Sequence, residues 1–482
     1  MYMREELDVL IVGAGISGIA AGYYLDKRCP GLRWRIVEAR ESLGGTWDLF
    51  RYPGVRSDSD MYTLGYRFRS WRGEKAIADG AEILQYLKAT AHEFGIDKRI
   101  HFQQRVRQIT WSSAQTRWTV AIEPSGGERY QLRCKFLFMC TGYYRYDRGY
   151  SPDWPGMEAF QGQVLHPQFW RSDLDLAGKR VVVIGSGATA VTLVPALARA
   201  GAEVTMLQRS PSYIVSMASR DELALRLQAR LPLWLSAKLT RWRLILRGII
   251  QYRFARSKPD QARAAILDGV RSELGDDYDI KRHFNPRYPP WDQRVCLVPD
   301  GDLFKAMREG KVTIVTDHIQ RFDEAGIVLE SGQRLPADII VTATGLVMRI
   351  LHGLRILVDD EEIALGETYS YKGVMYSGLP NLASAFGYTN ASWTLRAELV
   401  CEYVCRLLKH MQRHGYAQCT PRLSGDMQSA AFVDFTSGYV QRALPNLPKQ
   451  GARHPWKLYQ NYLRDILSLR YGRLHDGSLE WR

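Results

Sequence analysis

DVLIVGAGISGIAAGYYL, residues 8–25, decides the fold of this 482-residue chain. Asp8–Val12 is a short β-branched run suited to a strand buried on both faces. Gly13, Gly15 and Gly18 follow at once in G-x-G-x-x-G spacing, and Ile19–Leu25 reads as the helix they open. Glycine lets the chain turn sharply and lets backbone N–H groups close on a pyrophosphate, which the positive end of the helix favours. A second strand, Arg33–Val37, ends at Glu38, where a carboxylate accepts hydrogen bonds from a ribose. Strand, turn, helix and acidic tip together predict a dinucleotide-binding unit.

The pattern recurs. Arg180–Ile184 is a second apolar strand, followed by Gly185-Ser186-Gly187-Ala188-Thr189-Ala190, with alanine in the third place. That replacement keeps close helix packing and fits a second nucleotide site. The strand Glu203–Leu207 then ends in Gln208-Arg209-Ser210. An arginine at this tip suits a 2′-phosphate, so NADPH is expected over NADH. Phe136–Gly142 and Ala337–Gly345 are strand-to-glycine exits, and the later one returns the chain to the first domain. The expected fold class is α/β, with two Rossmann-like dinucleotide-binding domains, the second inserted in the first, and a helical insertion.

Composition narrows the class. A chain this long needs two or three domains, and 46% hydrophobic with 24% charged residues describes an ordinary globular protein. The seven cysteines are few, odd in number and scattered, and no secretory segment is read ahead of them, so a reduced, cytoplasmic setting is expected. The net charge of +14 favours anionic partners, but no basic repeat, zinc spacing or RNA-binding motif supports nucleic acid. From Arg220 to about Leu274 the chain turns basic, aromatic and helical in spacing. Two readings stand for it: a helical insertion packed beside the second nucleotide domain, or weak peripheral contact with an anionic membrane surface.

Two further segments carry a resemblance. FQGQVLHPQFW, residues 160–170, joins the two nucleotide units, and Phe160, Gly162, His166 and Trp170 fill the pattern F-x-G-x-x-x-H-x-x-x-W. The loop ESLGGTWDLFRYPGVRSDSD, residues 41–60, carries Gly44-Gly45-Thr46-Trp47, then Tyr52-Pro53-Gly54 and Asp58. Both resemble the class I Baeyer–Villiger flavin monooxygenases over almost the whole chain, and within them the ethionamide-activating subgroup of mycobacteria. Arg171, after the fingerprint, and Gln293, in place of a lysine, depart from the family pattern.

The resemblance implies FAD and NADP(H) as cofactors. It places cofactor contacts at Gly13, Gly15, Ser17, Gly18, Glu38, Gly45, Thr46, Trp47, Asp48, Leu49, Arg56, Ser57, Asp58 and Val106. Second-turn contacts are expected at Gly185, Ser186, Gly187, Ala188, Thr189, Ala190, Val191, Arg209 and Ser210. Residues 1–150 and 348–482 are expected to form the FAD-binding domain, 151–211 and 294–347 the NADP-binding domain, and 212–293 the helical insertion. Residues 445–482 are read as a cover for the active site or the domain edge. The implied reaction converts ketones to esters or lactones with O2, through a C4a-peroxyflavin, with sulfides and thioamides as further substrates. Arg294 is the implied cation beside the flavin, Asp58 its orienting partner, and His166 couples the linker to domain movement. The rival readings are an N- or S-oxygenating flavin monooxygenase and a flavin-bearing redox sensor without turnover.

Overall fold

The computed structural model describes residues 2–482. Two sheets carry the two glycine turns. In the first, Tyr2–Val12 runs parallel to Trp34–Val37 on one side and Tyr130–Met139 on the other, and Leu382–Ser384 adds in parallel to the latter. Gln104–Ser112 and Arg117–Pro124 extend this sheet as an antiparallel ribbon beside Tyr130–Met139. The reason lies in what they bury. Trp111 and Trp118, 5.5 Å apart between ring centroids, are both fully buried and pack with Leu10, Leu132 and Leu137 of the main sheet.

The second sheet has the strand order Val312–Thr316, Glu203–Gln208, Arg180–Ile184, Ile339–Thr342, Gln163–Leu165. All its pairings are parallel. Such strands are covered on both faces, which their near-continuous Val and Ile content anticipates. The linker between the two units is thus part of the sheet: Gln163–Leu165, from the 160–170 segment, forms its edge strand. Because the chain leaves the first sheet after Tyr130–Met139 and rejoins it at Arg355–Val358, the second unit is inserted in the first. The fold is the expected pair of Rossmann-like units.

The helices Glu222–Arg230, Leu233–Ser257 and Pro259–Leu274 form the insertion. Only part of it packs where the sequence suggested. Leu267 and Val270 join the core of the second unit, but Leu233–Ser257 lies on the first unit. Arg241 decides this. Its side chain is buried, and it finds acceptors only on the first unit: the carbonyls of Tyr62 (3.0 Å) and Gly65 (2.7 Å) and the carboxylate of Glu398 (3.1 Å). A buried guanidinium without those partners would be strongly destabilising. Among the described residues no helix is long and apolar enough to cross a membrane.

Residues 445–482 hold the domain edge and not the active site. Leu479–Trp481 pairs with Cys419–Pro421, and Arg406 donates to the carbonyls of Leu469 and Gly472. Side chains over the site come from residues 433–442 instead.

Candidate active site at the junction of the two nucleotide turns

A cleft of about 1160 Å³ runs between the two units and is lined by both glycine turns. It exceeds the roughly 300–1,000 Å³ of a single small-ligand pocket, so it can take more than one ligand.

The two turns share one construction. The Gly13 N–H donates to the Val37 carbonyl and the Gly185 N–H to the Leu207 carbonyl, both at 2.8 Å. Each first glycine rests on the exit of its last strand with positive φ, +104° at Gly13 and +134° at Gly185. A Cβ there would stand 2.6 Å from the Cys140 carbonyl oxygen or 2.4 Å from that of Ala343. Neither position admits a side chain. At the tip of the next strand, Glu38 turns its carboxylate back onto the turn and accepts the Ala14 N–H at 2.7 Å. Burial raises its pKa from the ordinary carboxylate value, opposed by the N–H groups of Ala14 and Arg40. Val106 joins the same wall at an irregularity in its strand pairing.

The 41–60 loop supplies the middle of the cleft. Gly45, Thr46, Trp47, Arg56, Ser57 and Asp58 line it. The Thr46 hydroxyl accepts from the Tyr144 phenol at 2.6 Å. Tyr52 packs into the core of the second unit, so this loop crosses from one unit to the other. The Ser57 hydroxyl is buried in the cleft wall with no partner among the described residues. A buried hydroxyl needs one, and a polar ligand in the cleft would provide it. With two glycine turns, a ribose-type carboxylate and that orphan hydroxyl, the residues present fit a dinucleotide.

Several expected contacts lie elsewhere. Asp48 and Leu49 do not line the cleft. The Asp48 carboxylate is taken up by Arg40, Arg51 and the Ser42 hydroxyl, which hold its pKa below the ordinary range despite burial. Arg56 lines the cleft, but Asp302 engages both terminal nitrogens of its guanidinium, at 2.6 and 3.2 Å. Gly18, Ala190 and Val191 sit in the helices Ile16–Arg28 and Ala188–Arg199, outside the lining. Ser17 does line it and accepts from the Trp393 indole at 2.8 Å.

On the second unit Gly185, Ser186, Gly187, Ala188, Thr189, Arg209 and Ser210 line the cleft. Ser186 donates to the Ser210 carbonyl at 3.1 Å, closing the turn against the strand tip. Arg209 is exposed there, and no carboxylate among the described residues pairs with it.

Arg294 stands where the units meet. The parallel pairing of Cys296–Pro299 with Ile214–Met217 fixes its backbone two residues away. Its Nη1 lies 3.1 Å from Asp58 Oδ2, and both side chains are about a third exposed, 36% and 43%. Asp58 is held in turn by the short helix Met61–Leu64, whose N-cap is Asp60. The Asp58 charge raises the Arg294 pKa further, outweighing desolvation, so the guanidinium stays charged. Tyr143 and Tyr439 stand beside it, and burial holds both phenols above their ordinary pKa, hence neutral. Tyr143 stacks on Trp393 at 5.2 Å. These aromatic neighbours carry no motif; the one sequence signal was that Tyr143 directly follows the strand exit Thr141-Gly142.

The fingerprint residues Phe160, Gly162, His166 and Trp170 do not line the cleft. His166 Nδ1 accepts the Gln168 N–H, which leaves Nε2 to donate to the Gly345 carbonyl at 3.2 Å. Burial lowers its pKa, so the ring is neutral. Phe160 and Trp170 pack on the second unit.

Comparison with known proteins follows this geometry. A sequence profile of flavin-binding monooxygenase-like proteins matches residues 76–244, and one of NAD(P)-binding Rossmann-like domains matches residues 11–74. The FAD-containing monooxygenase EthA of Mycobacterium tuberculosis is 53% identical over 481 residues, 99% of this chain and 98% of EthA. Among solved structures, an oxidized steroid monooxygenase bound to NADP superposes with a TM-score of 0.76 at 22% identity, covering 99% of each chain. Cyclohexanone monooxygenase bound to ε-caprolactone superposes at 0.74 and 21% identity, over 99% of this chain and 100% of that one. With identity above half along nearly its full length to such a relative, this chain belongs to the flavin-binding monooxygenase-like family.

Proposed function

We propose that this protein is an FAD-containing, NADPH- and O2-dependent monooxygenase of the Baeyer–Villiger type. Its substrates are long-chain or aryl ketones, converted to esters or lactones, and the same site oxidises sulfides and thioamides. In balance, ketone, O2, NADPH and a proton give ester, NADP⁺ and water. The observation that carries the reading is Arg294 paired with Asp58 in a cleft lined by both nucleotide turns. EthA is named as FAD-containing, and the two structural relatives carry NADP and a lactone.

Bound FAD supplies the oxidation of NADPH and the activation of O2; the chain supplies binding, orientation and charge. Glu38 receives the adenosine ribose of FAD, and the Gly13–Gly15 backbone with the helix end beyond it takes the pyrophosphate. The second turn holds NADP(H) in the same way. Arg294 keeps a permanent positive charge where negative charge develops on oxygen, and Asp58 fixes its direction. Tyr143, Trp393 and Phe386 form an aromatic wall that shields one side of that place from water. His166, joined to Gly345, ties the linker to the strand that returns from the NADP unit. The seven buried, unbonded cysteines accord with a reducing cytoplasmic setting, with peripheral contact to a membrane as part of the same reading.

The test is a substrate panel with purified holoenzyme, scored by oxygenated product and by hydrogen peroxide released. Ketone-stimulated NADPH oxidation with ester as product supports the proposal. Turnover of sulfides or amines alone overturns its Baeyer–Villiger part. Arg209 offers a second check. Arg209→Ala is expected to raise the KM for NADPH about tenfold or more, the worth of a charged hydrogen bond, and to leave that for NADH unchanged. Equal effects on both coenzymes would remove Arg209 from 2′-phosphate recognition.

A further inference from the structure

The helix Leu233–Ser257 buries one side on the first unit and leaves the other bare. Leu239, Trp242, Leu246, Ile250 and Phe254 recur every three or four residues, so they share one face, and all are exposed. Ile250 is 67% exposed, and Trp234 near the helix start 68%. Near the middle of the helix the apolar surface continues onto another segment. Trp242 meets Tyr462 with ring centroids 6.0 Å apart, and beyond it Leu463, Leu467 and Tyr471 are exposed too. Large apolar side chains left bare together mark an interaction surface.

Charge identifies the partner. From Leu223 to Pro259 the chain has no Asp or Glu. Arg226, Arg230, Lys238, Arg247, Arg253 and Lys258 are exposed, and none pairs with a carboxylate among the described residues. The other basic residues are already used inside the protein: Arg241 by Glu398, Arg243 by Asp221, Arg256 by Asp292. A second copy of this face, with no Asp or Glu from Leu223 to Pro259, would leave those free cations uncompensated. An interfacial helix on lipid has this composition, with tryptophan and aliphatic side chains among the acyl chains and basic groups at anionic headgroups.

The far end of the helix reaches the loop that carries Arg294. Tyr252 packs edge-on against Trp291 at 5.5 Å, and Arg256 pairs with Asp292, two residues before Arg294. The same Asp292 accepts the Thr436 N–H through its carbonyl (2.9 Å), in the segment that bears Tyr439. One end of the bare helix is therefore fastened to both segments that flank the candidate catalytic arginine.

We infer that the exposed face of helix 233–257 docks this enzyme on an anionic bilayer and that the docked helix delivers bilayer-dissolved, long-chain substrate beside the Arg294 loop. This rests on the hydrophobic-substrate part of the proposed function.

The test uses full-length holoenzyme and vesicles of phosphatidylcholine with or without phosphatidylglycerol. Wild type is expected to float with the anionic vesicles, to show blue-shifted tryptophan emission, and to detach as salt rises. Each cation nearing the surface is worth about fivefold in partitioning, so neutral vesicles hold far less protein. The double variant Leu246→Glu, Ile250→Glu is expected to lose vesicle binding by more than about tenfold. Neither residue lines the cleft, so the variant should keep its turnover of a short water-soluble ketone while losing that of a long-chain ketone supplied in vesicles. Absence of wild-type binding to anionic vesicles at low salt overturns the inference. So does a variant that changes only the oligomeric state, since a second copy would then cover the face, and so does equal long-chain turnover by both proteins. Failure of the soluble ketone with wild type marks the proposed reaction as wrong instead, because it needs no membrane.

Discussion

Replacing Arg294 with alanine is expected to leave flavin bound and NADPH consumed, while ester formation falls about 100- to 1,000-fold, the usual cost of removing one fixed electrostatic partner. The oxygen consumed should then leave as hydrogen peroxide. The argument is geometric. Arg294 is fully charged, only partly hydrated and aimed by Asp58 at 3.1 Å in a cleft walled by Tyr143 and Tyr439. Two other cleft arginines are placed differently: Arg56 is engaged by Asp302, and Arg209 stands at the second strand tip. Arg294→Lys should recover part of the product, because it restores the charge without the planar fork. Asp58→Ala should cost less, about tenfold, since it loosens the guanidinium without removing it. Product and peroxide measured together against NADPH consumed decide the matter. Unchanged ester yield in Arg294→Ala would take the arginine out of the mechanism.

What the sequence could show of this site depended on range. The glycine turns, Glu38 and the strand exits are local: each is a strand followed at once by its turn, and the structure repeats the same hydrogen bonds and close carbonyl contacts in both units. The Arg294–Asp58 pair was legible only through family resemblance, because 236 positions separate its members (294 − 58 = 236) and neither residue stands out by itself. The surroundings of Asp48 were hidden for a related reason. The residue lies inside a cofactor-type loop, yet three nearby polar groups take its carboxylate away from the cleft. Tyr439 and Phe435 come from a segment without motif or periodicity, brought over the cleft by contacts such as Thr436 to Asp292. The insertion shows the same limit. Its basic, aromatic and helical character was plain, but which face is buried depended on where Arg241 could find Glu398, Tyr62 and Gly65.

Glu402→Gln is the change expected to cost the fold most. Glu402 is wholly buried in the helix Trp393–His414 and is the common partner of Arg28 (2.6 Å), Arg67 and Arg470 (2.7 Å). These arginines come from the helix after the first glycine turn, from the stretch beyond the 41–60 loop, and from the C-terminal segment. One carboxylate therefore holds together three parts of the first unit. Burial by itself would raise its pKa, but Arg67 and Arg470 outweigh that, and the net value lies below the ordinary range. Breaking a buried pair costs about 3–5 kcal/mol. Arg28 and Arg67 are 38% and 37% exposed and stay partly hydrated after the change, so the low end, about 3 kcal/mol, applies. The sign with pH follows from the lowered value. A carboxylate with a depressed folded pKa contributes its full stability above the unfolded value, about 4.3, and loses it as pH falls through the folded value. The gap in urea midpoint between wild type and Glu402→Gln should thus be widest and flat near neutrality, and should narrow below about pH 4.3, where the carboxyl of the unfolded chain takes up its proton, until the folded carboxyl does so at its lowered value. A gap that persists undiminished in acid would mean the variant acts through packing of the amide, not through the charge that three arginines share.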